Sequence, residues 1–139
     1  MIEVLIAILV LAMGLLGYAL LQTMNLRYTQ SANYRTVATN LAYDLLDQMR
    51  ANRLSVAAYG SKAGFAAGSV SVVDTCTRPV DTVTVDQNIA RWQCSVVHAL
   101  GPNAAAVVSY NNGVANVAIT WGERVGTDSS TTFAVSTRL

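Results

Sequence analysis

The sequence predicts an α+β fold, a long N-terminal helix packed on a C-terminal antiparallel β-sheet, and three patterns carry that prediction. No charged side chain occurs from Val4 to Leu26. That apolar run passes, without a proline, into residues whose apolar members recur at spacings of three and four, as on one face of a helix. The last third instead alternates in twos around an Asn-Gly pair, the pattern of a β-hairpin.

The first stretch, Met1 to Leu21, is long enough to span a hydrocarbon core of roughly 30 Å at about 1.5 Å per residue. It differs from a secretory signal peptide because it opens on an acid, Glu3, and runs on into Gln22-Thr23-Met24-Asn25 without a small-residue cleavage site. A carboxylate at the edge of a bilayer segment is unfavourable by up to about 3 kcal/mol if buried alone, so Glu3 calls for a partner. Gly14 and Gly17 lie inside this segment, each costing about 1 kcal/mol relative to Ala in a helix interior. Two readings of the pair stand side by side: a site of helix flexibility and close packing, or the ordinary glycine content of membrane helices.

Beyond the apolar run, Leu26, Tyr34, Val37, Ala38, Leu41, Ala42, Leu45 and Met49 form one stripe, with Arg35, Thr39, Asp44, Asp47, Gln48 and Arg50 on the other faces. The economical reading is one continuous helix of some fifty residues whose second half is the face a sheet packs on. It divides the chain into residues 1–26, a membrane-spanning half-helix, and residues 27–139, a globular head. Asn52 to Gly60 is expected to end the helix. Residues 55–81, punctuated by Gly60, Gly64 and Gly68, read as irregular apart from a short strand at Val70–Val73. A second helix follows over Asp86–Leu100, with Thr84 or Asp86 as cap, Ile89, Trp92, Val96, Val97 and Leu100 at helical spacing, and a stop at Gly101-Pro102.

Ala104–Tyr110 and Val114–Trp121 then flank Asn111-Asn112-Gly113, and Thr132–Leu139 follows a longer turn over Gly122–Ser130. This is a three-stranded meander with Val117, Ile119 and Trp121 on one face and Phe133, Val135 and Thr137 inward. Cys76 and Cys94 are an even count in a presumed exported part, which favours one disulfide over two free thiols.

Composition excludes several function classes. Nine basic and eight acidic residues, net charge +1, provide no cluster to neutralise several phosphates, so no nucleic-acid partner is expected. His98 is the only histidine, which removes histidine-based metal sites and triads. Asp44, Asp47, Arg50 and Arg53 read as a solvated helix face, and the spacing of Gly60, Gly64 and Gly68 fits no nucleotide fingerprint. No catalytic residue, metal, cofactor or small-molecule substrate is expected. Trp92 and Trp121 read as core residues.

Met1-Ile2-Glu3-Val4-Leu5-Ile6-Ala7, the apolar run and the continuous amphipathic helix resemble the N-terminus of type IV pilins and type II secretion pseudopilins. Ser31-Ala32, Arg35-Thr36, Ala38–Asp44, Met49-Arg50-Ala51-Asn52, Asp86, Trp92, Leu100 and a terminal hairpin carrying Ile119-Thr120-Trp121 resemble PilV-type minor pilins over most of the chain. The resemblance implies the pilin-like version of the α+β fold and a helix held in the bacterial inner membrane, with its head in the periplasm, until it is extracted into a filament. It further implies that Glu3 pairs with the N-terminal amine of a neighbouring subunit during assembly, while Val4, Leu5, Ile8, Leu11 and Leu15 contact the helix bundle. In the family, cleavage after a Gly leaves a mature chain that starts four residues before this Glu, whereas this chain begins two before it. The leader and the methylated first residue are therefore expected upstream of Met1.

The function implied is a minor pilin in the complex that primes pilus assembly, at the pilus tip outside the cell. Its partners would be other minor pilins, the major pilin, and a tip adhesin as a further candidate. The alternatives are an I-type pseudopilin of type II secretion and, in a different class, a single-pass membrane protein with a periplasmic binding domain.

Overall fold

A computed structural model of the chain describes residues 1–71, 76–123 and 130–139. α1 runs unbroken over Ile2–Ala51, as the absence of proline and the continuous pattern require. A one-turn 3-10 helix at Arg53–Ser55 reverses the chain into α2 (Val56–Lys62), and α3 occupies Val85–Leu100. Three strands, β1 (Ala105–Asn111), β2 (Val114–Gly122) and β3 (Ser130–Arg138), form an antiparallel sheet in the order β1-β2-β3. The predicted α+β architecture is the one observed.

The sheet's inner face packs on the second half of α1. Ala38, Ala42, Leu45, Leu46 and Met49 of α1 are buried, with Ala115, Val117, Ile119 and Trp121 of β2 and Ile89, Trp92, Val96 and Leu100 of α3 in the same cluster. Phe133 and Val135 close it from the sheet's edge strand, half-buried. The hairpin turn has both Asn112 and Gly113 at positive φ (49° and 80°), the backbone that an Asn-Gly pair accommodates and most residues resist. Asn111 and Val114 pair directly across it, which sets the register of the whole β1–β2 ladder.

α3 begins at the first of its two candidate caps. Thr84 Oγ1 accepts from the Gln87 N–H at 3.3 Å and the Gln87 side chain accepts from the Thr84 N–H at 2.9 Å, a reciprocal capping box. The helix stops at Gly101, whose φ of 99° suits a residue without a Cβ.

Three expectations need correction. Residues 55–81 are not irregular throughout, since α2 forms within them and buries Val56 and Tyr59. Gly60, which suggests a break when read alone, lies inside α2 because a Cβ there would fall 2.9 Å from the Tyr110 Cβ; the glycine lets α2 press onto β1. Gly64 performs the same service one turn later, where the Phe65 N–H and C=O bridge to Ala106 at 2.8 and 3.0 Å. Leu26 does not belong to the buried stripe and is 66% exposed, because the head does not reach that far down α1. Of the expected strand at Val70–Val73, Val70 and Ser71 are not extended strand, while Val72 and Val73 lie outside the described residues.

Cys76 and Cys94 form a disulfide that ties the segment before α3 to the middle of that helix. The closed loop of separation 18 corresponds to about 3 kcal/mol in the chain-entropy account. Replacing both cysteines with serine is therefore expected to lower unfolding free energy by that order. Urea titration of the full chain in detergent checks it, and an unchanged midpoint would show that the loop is already ordered without the bridge.

Candidate functional site

Two features stand apart from the packed head. One is the first half of α1. Every residue from Met1 to Gln30 is exposed, and an apolar window of 18 residues within the helix has a mean hydropathy of 2.7 with no part of it buried. An apolar helix of this length cannot stand bare in water; it requires lipid or the apolar faces of other helices. Glu3 sits in its first turn, where the positive end of the helix dipole favours a carboxylate, and among the described residues it makes no ion pair within the chain.

The structure places Val4, Leu5, Ile8, Leu11 and Leu15 along this half, each between 58% and 67% exposed. Ile6, Leu9, Val10, Met13 and Leu16 on the other sides are just as open, so the apolar surface encircles the helix and no single stripe is set apart. Gly14 and Gly17 lie in unbroken helix, with nothing within 4 Å of where a Cβ would stand, which leaves both surfaces open to close approach.

The other feature is a carboxylate that sequence reasoning leaves as an ordinary part of a turn. Glu123 follows β2 directly, and its side chain is only 7% exposed although the residue is charged; the rest of the expected turn up to Ser130 lies outside the described residues. Ser31 of α1 donates a hydrogen bond to Oε1 and Thr131 of β3 donates one to Oε2, while the Arg35 guanidinium stands 3.8 Å from Oε2. The two hydroxyls dominate: bonds to a charged acceptor contribute about 1.5–3 kcal/mol each, whereas an ion pair with a 64% exposed arginine contributes about 0–1 kcal/mol. Ser31 and Arg35 are four apart on one helix face, which is the signal in the sequence, but nothing local to Glu123 shows that it meets them.

The Ser31 hydroxyl, then the Thr131 hydroxyl, then Arg35 hold the Glu123 carboxyl below the usual carboxylate range against the opposing effect of burial. A carboxyl lowered in the folded state adds stability above its unfolded value of about 4.3 and loses it as pH falls through the folded value. The stability gap between the native chain and Glu123→Gln is thus expected to be constant above about pH 6 and to shrink progressively below the ordinary carboxylate range. Denaturant titrations from pH 7 to pH 3 measure it, and a gap independent of pH would show that the charge contributes nothing.

Among the described residues, no group of three or more His, Cys, Asp and Glu could hold a metal ion. Among the described residues, a groove of about 410 Å³ beside the disulfide, lined by Ser71, Thr77, Pro79, Gln87 and Arg91 among others, brings together no pair of groups suited to acid–base work.

Searches of curated proteins and of solved structures gave no match. A family model does match, Tt1218-like, described as type IV pilin Tt1218, over residues 20–98. The matched span begins near the end of the apolar half-helix and runs through the amphipathic half of α1, α2 and nearly all of α3, so it rests on the head and not on Glu3. It covers more than half of the chain. The chain therefore belongs to the Tt1218-like family and is a type IV pilin.

Proposed function

We propose that this pilin is a minor pilin of the PilV type, a non-catalytic structural subunit of the complex that primes assembly of a type IV pilus and sits at its tip. The observation that carries the reading is the uncovered apolar half of α1, which ends where the packed head begins. Residues 1–26 then lie in the inner membrane before assembly and in the filament core after it, two environments that share the absence of water. Residues 27–139 form the head in the periplasm and later at the outer end of the pilus.

Glu3 pairs in this reading with the N-terminal amine of a neighbouring subunit, because a carboxylate and an ammonium in an apolar bundle are each costly alone. Val4, Leu5, Ile8, Leu11 and Leu15 supply bundle contacts to other minor pilins and to the major pilin, and Gly14 and Gly17 give the helix room to yield or to approach a neighbour. The minor-pilin assignment is supported by the resemblance of Ser31-Ala32, Arg35-Thr36, Met49–Asn52 and the terminal hairpin to PilV-type chains.

Fractionation tests the proposal. An epitope-tagged chain should be found in the membrane and, in small amount relative to the major pilin, in pili sheared from the cells; deletion of its gene should reduce pilus number. Retention wholly in the membrane, with piliation unchanged by the deletion, would instead support a single-pass membrane protein that never polymerises.

A further inference from the structure

We propose that Glu123 is a latch that fixes the angle at which α1 leaves the head, and so sets the orientation of the head on its helical stalk. Ser31 is the first residue of α1 that is not exposed. The contact that defines where the free helix starts is therefore the Ser31–Glu123 hydrogen bond. Its carboxylate simultaneously takes the Thr131 hydroxyl of β3, so one buried side chain joins the sheet to the helix at the exit point.

At the far end of the same strand the Arg50 guanidinium donates to Thr137 Oγ1 at 2.9 Å, so β3 is tied to α1 at both ends. The two ties differ in surroundings. The upper one is exposed and lies beside the buried stripe that ends at Met49, whereas the lower one stands where apolar packing has thinned out. Between Ser31 and Ala38, the first fully buried residue of α1, only Tyr34 and Val37 are half-buried against the core. Opening the latch would move the start of firm packing about seven residues along the helix, or roughly 10 Å at 1.5 Å per residue.

A groove of about 340 Å³ lined by Tyr28, Ser31, Ala32, Arg35 and Glu123 flanks the junction. Among the described residues, no buried apolar side chain fills the space beside the helix to hold it in the latch's absence. Arg35 is the charged group facing Glu123 from α1, and β3 offers the uncharged Thr131.

The latch is a property of the isolated subunit and does not depend on the assembly role. Its test uses the full chain in detergent micelles with spin labels on Asn25→Cys and Ser136→Cys, both exposed positions; the native cysteines are paired in the disulfide and leave no free thiol. A second labelled pair within the head, Val107→Cys and Ser136→Cys, serves as control. The native latch should give a narrow stalk-to-head distance distribution. Glu123→Ala should shift and broaden it while the head pair and the near-ultraviolet circular dichroism stay unchanged, and Glu123→Gln, which keeps an acceptor in place, should restore part of the narrowing. If Glu123→Ala does not fold, the same comparison is made with Ser31→Ala and Glu123→Gln, which are expected to broaden the stalk distribution alone. An unchanged stalk distribution in the folded variants, or equal broadening of the head pair, would overturn the proposal.

Discussion

Glu3→Ala should leave the head folded and the chain in the membrane, yet reduce its recovery in sheared pili by roughly a hundredfold to several thousandfold. The magnitude follows from the proposed assembly contact, because removing one partner of a buried ion pair leaves the other charge uncompensated, at about 3–5 kcal/mol. In the membrane fraction the substitution should be silent, since Glu3 is exposed in the first turn of α1 and belongs to no part of the core. Glu3→Gln keeps hydrogen-bonding capacity without charge and should fall between the two. Quantitative immunoblotting of membrane and pilus fractions provides the measurement, and recovery equal to the unaltered chain would remove Glu3 from the assembly mechanism.

The second large effect lies in the head. Trp92→Ala should destabilise the protein by about 3–5 kcal/mol, the usual range for deleting a buried large aromatic. For a domain whose total stability is about 5–15 kcal/mol, that approaches unfolding. Trp92 is 1% exposed, its ring meets Phe65 edge-on at 6.3 Å between centroids, and its Nε1 donates to the Leu41 carbonyl at 2.8 Å. One side chain thus joins α3, the segment after α2, and α1. Trp92→Phe retains most of the apolar contact and loses the hydrogen bond, so its cost should be nearer 1 kcal/mol. Chemical denaturation of the full chain in detergent distinguishes these, and a Trp92→Ala variant as stable as the parent would show that the three elements are held elsewhere.

How far the sequence could be read depended on how local the cause of each feature was. α1, the cap at Thr84, the stop at Gly101 and the hairpin at Asn112-Gly113 each follow from residues within a turn or two of one another, and each is found where those residues place it. The stripe along α1 is also found, except at its lower limit. Periodicity runs on to Leu26, but where burial begins depends on how far the sheet extends. Leu46 shows the complementary miss: it stands beside the stripe in spacing, yet it is fully buried because α1 is covered over a wider arc than one row of side chains.

α2 and the Glu123 site were legible only in three dimensions. Gly60 signals a break to a local reading, whereas its cause is a strand fifty residues away that needs the space a Cβ would take. Glu123 is an acid in a turn until the sheet brings it against Ser31, 92 positions earlier in the chain. By itself, then, the sequence determined α1, α3 with its cap and stop, the three strands, the uncovered apolar half-helix and the placement of Glu3 at its start, since backbone propensity and hydrophobic period act over a few residues. Only the tertiary structure decided where the helix leaves the head and which carboxylate holds it there, because burial and hydrogen bonding at that point come from chain segments that meet only after folding.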